Sequence, residues 1–397
     1  MANLAEDPVT RLGLDWEIGT DSGWRIYGAQ LVLAFVQRGT PEPVLLAPPL
    51  EQSFPALVRA RLGPMFDRSR VARSEKAPGQ SMRVQYPVLR ALANQMQALT
   101  TNDDIKAPRN IGMLVFEDTH FDRAALARSL AYDYLVTPSE WNAQIVRGYG
   151  LDNVGASMQG VDPTIFHPAP RAGLFSDRFV IFSGGKLEYR KGQDLVVAAF
   201  RRFLERHSDA MLLTAWHNHW PGLMAEMGRS GLVQGQPRIN DGRLEVRAWL
   251  ADNGVPADAV VDIGLQPNVV MGQIIREADV AVFPNRCEGG TNLVAMEAMA
   301  CGVPTILSAN TGHLDLLGAH CYPLTKQLAV PGPTSMFRGT DGWGESDVDE
   351  IVEVLESVYT RRQEARERGE QAAAYMRNHS WGHSAAQFLR LIEPVTR

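Results

Sequence analysis

Short apolar runs separated by longer stretches of helical period recur along most of the chain. Residues 44–47, 113–116, 134–136, 180–182, 211–213, 260–263 and 280–283 are each three or four residues long and rich in Val, Ile, Leu or Phe. Short runs with no polar alternation are the pattern of strands covered on both faces, as in a parallel sheet. The intervening amphipathic stretches, such as the one that runs to Leu204, supply the crossover helices. The expected class is α/β, built as two Rossmann-like, doubly wound domains that face each other across a cleft. Pro168, Pro170 and Gly173 mark a hinge, so one domain is expected over residues 1–170 and a second over 171–379.

Three segments carry candidate chemistry. In the first, a strand ending at Phe283 enters a loop containing Glu288, Gly289 and Gly290, a helix opens near Thr291, Asn292 and Leu293 and carries Glu297, and Gly302-Val303-Pro304 leads to another strand. Glycines let a backbone approach a ligand closely, and a helix N-terminus favours an anion such as a diphosphate. Glu297 is placed to accept hydrogen bonds from a pair of ribose hydroxyls. In the second, the strand from Phe179 ends in Gly184-Gly185-Lys186, and Arg190, Lys191 and Gly192 precede a helix. The third holds a Pro138-Ser139 turn and the string Gly160-Val161-Asp162-Pro163-Thr164-Ile165-Phe166-His167-Pro168.

In this order the segments resemble the family-four retaining glycosyltransferases, whose members have the GT-B fold. The resemblance is specific from about residue 110 onward and loose before it. It implies that Lys186 and Lys191 clamp a donor diphosphate, with Lys186 a point charge where Arg is commoner. It implies a cleft histidine, His120, near the donor sugar, and a glycine loop near the first strand in which Gly28 takes part. Gly185, Gly289, Gly290, Thr291, Asn292, Leu293 and Glu297 would complete the donor site. The closing segment 380–397 would cross back onto the first domain. The family's two glutamates have seven residues between them, whereas Glu288 and Glu297 have eight. Either the two glycines absorb a bulge that keeps Glu288 in place, or Gly289 fills the position.

Composition agrees with two cores: 397 residues with 45% hydrophobic content. Three cysteines without a Cys-x-x-Cys pair suit a reducing cytosol, and a net charge of −6 argues against a nucleic-acid partner. No apolar run is long enough to span a bilayer, and no signal-peptide pattern is present, so a cytoplasmic protein is expected. Arg59, Arg61, Arg68, Arg70 and Arg73 lie among apolar residues. They make either a solvated segment or a contact with an acidic acceptor or the inner face of a membrane, and Pro64 argues against one long helix there. His217 and His219 form a His-x-His pair without a third ligand at sensible spacing. Asp347 and Asp349 read as a helix cap, and Cys287 as a packed thiol. No metal or cofactor is expected.

The expected function is retaining, metal-independent transfer of a sugar from a nucleotide-sugar donor to a glycan, lipid-linked, protein or small-molecule acceptor. The alternatives are a nucleotide-sugar epimerase of the same fold and a non-catalytic nucleotide-sugar-binding subunit.

Overall fold

The structure is a computed structural model that describes residues 10–74, 80–100, 104–218, 220–330 and 332–396. Two units are present. Unit 1 comprises residues 1–160 and 381–397, and unit 2 comprises residues 161–380. The proline-rich stretch expected to be a hinge lies inside unit 2, because its polar groups are fastened there. The amides of Ala172 and Gly173 donate to the Glu277 carboxylate at 2.6 and 3.1 Å, and Arg171 meets Asp279 at 2.9 Å.

Beside a short antiparallel strand at Gln97–Ala98, the main sheet of unit 1 carries six parallel strands, β1 (Arg11–Leu14), β2 (Glu42–Leu45), β3 (Val88–Ala93), β4 (Asn110–Leu114), β5 (Tyr134–Thr137) and β6 (Val154–Ala156). Their order across the sheet is β2-β1-β3-β4-β5-β6. Helix α1 (Gly23–Arg38) follows β1, and the closing helix α11 (Trp381–Thr396) packs on α1. Trp381 lies 5.7 Å from the ring of Tyr27, and Phe388 lies 6.2 Å from that of Phe35.

Helix α2 (Ala56–Ser74) is continuous through Pro64, contrary to the sequence expectation. Pro64 is exposed, so the carbonyl it leaves unpaired faces water, while Leu62, Met65 and Phe66 anchor the opposite side in the core. Arg59, Arg61, Arg68 and Arg70 are exposed; Arg68 pairs with Glu42, and Arg70 with Glu51 and Asp67. The side chain of Arg73 lies outside the described residues.

Unit 2 repeats the plan with β7 (Phe179–Lys186), β8 (Ala210–His217), β9 (Val260–Asp262), β10 (Val280–Phe283), β11 (Thr305–Ser308) and β12 (Tyr322–Leu324). All pairings are parallel, in the order β9-β8-β7-β10-β11-β12. The crossovers include α5 (Gln193–Leu204), α7 (Asn268–Ile275) and α8 (Leu293–Ala300). β10 is buried at every position, because helices cover both faces of the sheet. Asp347 caps the helix that begins at Val348 by accepting from the amide of Glu350. No helix among the described residues is long and apolar enough to cross a membrane.

Candidate donor site

The strand order of unit 2 reverses between β7 and β10. The connections that follow those two strands run in opposite directions along the sheet, and doubly wound sheets take ligands outside the carboxyl ends of the strands at such a point. Both loops with candidate chemistry lie there. Lys186 ends β7, with Nζ 4.9 Å from the centre of the Trp220 ring and 3.9 Å from Glu188. Beside it, Gly185 has φ 122°, a conformation that favours glycine.

Tyr189–Lys191 form one tight helical turn closed by Gly192 at φ 70°. A Cβ on Gly192 would stand 2.3 Å from the carbonyl oxygen of Pro284, so glycine is required for the two loops to touch. The contact is stitched by the backbone. The amides of Arg286 and Cys287 both donate to the carbonyl of Arg190, at 2.7 and 3.1 Å.

This stitching brings Lys191 Nζ onto the carboxylate of Glu288, which the side-chain amide of Asn285 also meets. Arg190 stands 3.6 Å from the other oxygen. Burial alone would raise the Glu288 carboxyl, but Lys191, then Arg190 and His313, hold it below the usual carboxylate range. The backbone N–H of Glu288 donates to Thr311 Oγ1 at 2.9 Å, and its carbonyl accepts from the amide of Gly312 at 3.0 Å. Gly312 has no room for a side chain, since a Cβ would fall 1.8 Å from the carbonyl oxygen of Gly290.

Asn292 caps α8, accepting at Oδ1 from the amide of Ala295 at 3.4 Å. The sequence reading leaves two possibilities, a bulge absorbed by the two glycines or Gly289 in the place of Glu288. In the structure the left-handed residue is Asn292, at φ 61° and ψ 87°, and neither Gly289 nor Gly290 has positive φ. Asparagine tolerates this region because its short amide bonds locally. Thr291 is fully buried, with its hydroxyl on Met296 Sδ at 3.0 Å.

Glu297 lies in the second turn of α8 and is 7% exposed. Its Oε1 accepts from Asn268 Nδ2, at the start of α7, at 3.0 Å. Burial pushes its carboxyl up to about 8, and the Asn268 bond opposes that rise.

Behind the loops, the fully buried Arg286 guanidinium grips Asp194 of α5 through two bonds of 2.8 and 2.7 Å. It also meets Glu345 and the carbonyl of Tyr189, both at 2.7 Å, and lies 3.9 Å from the centre of the Tyr189 ring. Burial weighs against its charge, yet Asp194 keeps its pKa above the ordinary guanidinium value.

The sequence reading gave no role to Arg286, Asp194, Thr311, Gly312 or His313. Arg286 and Asp194 did carry a signal, as opposite charges, one in the loop after β10 and one in the first turn of α5, beside otherwise apolar strands.

Lys186, Lys191, Glu288 and Glu297 thus share unit 2, whereas His120 belongs to unit 1. It is exposed beyond the carboxyl end of β4, with its backbone N–H on Asp118 Oδ1 at 3.1 Å. Gly28 is corrected from a loop to a helix position. It lies within α1, where a Cβ would come 2.5 Å from Trp16 Nε1, so close packing accounts for the glycine. His217 ends β8, while His219 lies outside the described residues. No group of three or more His, Cys, Asp or Glu among the described residues is placed to hold a metal ion. Cys287, Cys301 and Cys321 are buried free thiols.

Residues 268–388 match the family model described as "Family 4 Glycosyltransferase in conflict systems". The D-inositol 3-phosphate glycosyltransferase of Acidothermus cellulolyticus is 32% identical over 199 residues, which are 46% of this chain and 40% of that protein. The protein of the same name from Paenarthrobacter aurescens is 28% identical over 261 residues, 63% of this chain and 54% of the relative. The chain therefore spans about half the length of the curated relatives it matches. Among solved structures, sucrose-phosphate synthase from Thermosynechococcus elongatus superposes with a TM-score of 0.63 at 16% identity, covering 97% of this chain and 99% of that one. HepE from Anabaena, in complex with UDP, gives 0.59 at 14% identity and covers 97% and 100%. Residues 268–388 thus match a family-four glycosyltransferase model, and the chain shares the GT-B fold of these solved structures.

Proposed function

We propose that unit 2 binds a nucleotide-sugar donor and that the protein transfers the sugar, with retention, to a glycan, lipid-linked, protein or small-molecule acceptor. The observation that carries this reading is the placement of Lys191, the α8 N-terminus and the buried Glu297 of α8 on two strand-to-helix connections that meet at one switch point. HepE structures hold UDP and UDP-glucose, and a nucleotide-sugar donor suits these residues as well. Cleaving the bond from the anomeric carbon to the diphosphate leaves an electron-poor sugar and an anion. Lys186, Lys191 and the first N–H groups of α8 would meet that anion, and the acceptor's proton would pass to a departing phosphate oxygen. Glu297 would hold the ribose. No metal is assigned a role.

Lys191 bears on a second reading, because Glu288 already neutralises it. A binding subunit without turnover would keep nucleotide affinity and lose donor hydrolysis and transfer. The deciding experiment is thermal unfolding against UDP-, GDP-, ADP-, dTDP- and CMP-sugars, followed by a hydrolysis assay with whichever responds. A ligand at 100 times its dissociation constant should stabilise by about 2.7 kcal/mol. No shift with any of them would remove the donor site, and a shift without hydrolysis or transfer would favour the binding subunit.

A further inference from the structure

His313 is fully buried just beyond β11, and both of its ring nitrogens are engaged. Nδ1 lies 2.9 Å from Ser308 Oγ, and Nε2 lies 3.1 Å from Asn292 Nδ2. Asn292 Oδ1 is taken by the amide of Ala295, which fixes the side-chain orientation and turns the NH2 group toward the ring. An NH2 group only donates, so Nε2 accepts and the ring proton sits on Nδ1, facing the serine hydroxyl. The charged groups facing the ring are Glu288 and Lys191. Burial moves its pKa down to about 4, with Glu288 opposing that shift and Lys191 adding to it. A protonated ring would point an N–H at an NH2 group and lose the bond.

Asn292 caps α8 in a left-handed backbone conformation, φ 61°, which asparagine keeps where local bonds constrain it. His313 supplies that constraint and ties it to the last residue of β11. We propose that His313 is a positioning residue of the donor site, holding Asn292 so that the N–H groups of Leu293 and Val294 stay aimed at the donor diphosphate. The proposal rests on the nucleotide-sugar reading above.

The test is calorimetric titration of UDP, GDP and ADP, and of the matching nucleosides, into the wild type, His313→Leu, His313→Gln, Asn292→Ala and the His313→Leu/Asn292→Ala double variant. For the base that binds, His313→Leu should weaken the diphosphate by about tenfold while changing the nucleoside by less than about threefold. His313→Gln, which retains an acceptor and a donor, should recover most of the loss. The double variant should be no worse than Asn292→Ala alone, because the histidine acts through the asparagine. Equal losses on diphosphate and nucleoside, or additive losses in the double variant, would overturn the proposal. A wild type that binds none of the three diphosphates would sink the donor reading and this proposal together. A wild type that binds, beside a His313→Leu variant that binds equally well, would sink the proposal alone. If His313→Leu does not fold, the nitrogen-15 shifts of the wild-type ring decide. A neutral Nδ1–H tautomer at neutral pH is required, and a charged ring or the opposite tautomer overturns the assignment.

Discussion

Glu297 Oε1 accepts a hydrogen bond from Asn268 Nδ2 at 3.0 Å, joining the first residue of α7 to the second turn of α8. That bond opposes a burial that leaves the Glu297 carboxyl titrating at about 8. Below that pH the empty site holds the group mostly protonated. On the proposed ribose contact, the hydroxyls donate best to the ionised form, so binding expels the proton and affinity should rise with pH. Between pH 6 and 8 the association constant of the nucleoside diphosphate should climb by up to about tenfold per unit, and level off above. Calorimetry in buffers of different ionisation enthalpy should detect close to one proton released per ligand at pH 7. Glu297→Gln should flatten the pH dependence and weaken binding throughout.

Lys191 and Glu288 should show opposite signs in stability and binding. Lys191→Ala leaves a buried carboxylate without its nearest cation, and should cost about 3 kcal/mol in urea denaturation. Adding Glu288→Gln should return most of that loss, because the stranded charge is gone. Nucleotide affinity should stay low in both variants, since the cation aimed at the phosphates is missing. Recovery of affinity in the double variant would show that Lys191 serves only its partner.

Arg286→Met should destabilise unit 2 by roughly 3–5 kcal/mol, the range for breaking a buried ion pair by removing one member. Arg286→Lys should recover little, because an ammonium cannot reproduce the two-pronged grip on Asp194. Chemical denaturation of both variants checks the order. Equal stability of Arg286→Lys and the wild type would mean that charge alone holds the loops together.

Gly28→Ala separates packing from ligand contact. The added Cβ meets the Trp16 indole, so a loss of about 1–3 kcal/mol is expected, with nucleotide affinity unchanged. A selective loss of affinity at unchanged stability would return Gly28 to the donor site.

The α/β class was legible because strands buried on both faces read as uninterrupted apolar runs, and β10 and the start of β7 do so. β3 escaped notice since Arg90 interrupts it, and only the folded protein supplies its partners, the buried Asp15 and the side chain of Asn110 at 2.9 Å. Glu297, Lys191 and the α8 N-terminus were legible as a motif. Their supports were not, because Thr311, Gly312 and His313 gain meaning only when β11 lies beside β10 and brings its following turn under the loop. The helix through Pro64 was misread for a related reason, as the side of α2 on which the proline falls is decided by packing.

The stitch between Arg190 and Arg286 has a consequence for how the site comes into being. Lys191 and Glu288 are 97 residues apart in the chain, and the segment between them must close a long loop before they meet. Neither half of unit 2 forms the candidate site alone. A ligand seated there touches both halves and so acts as a clasp between them.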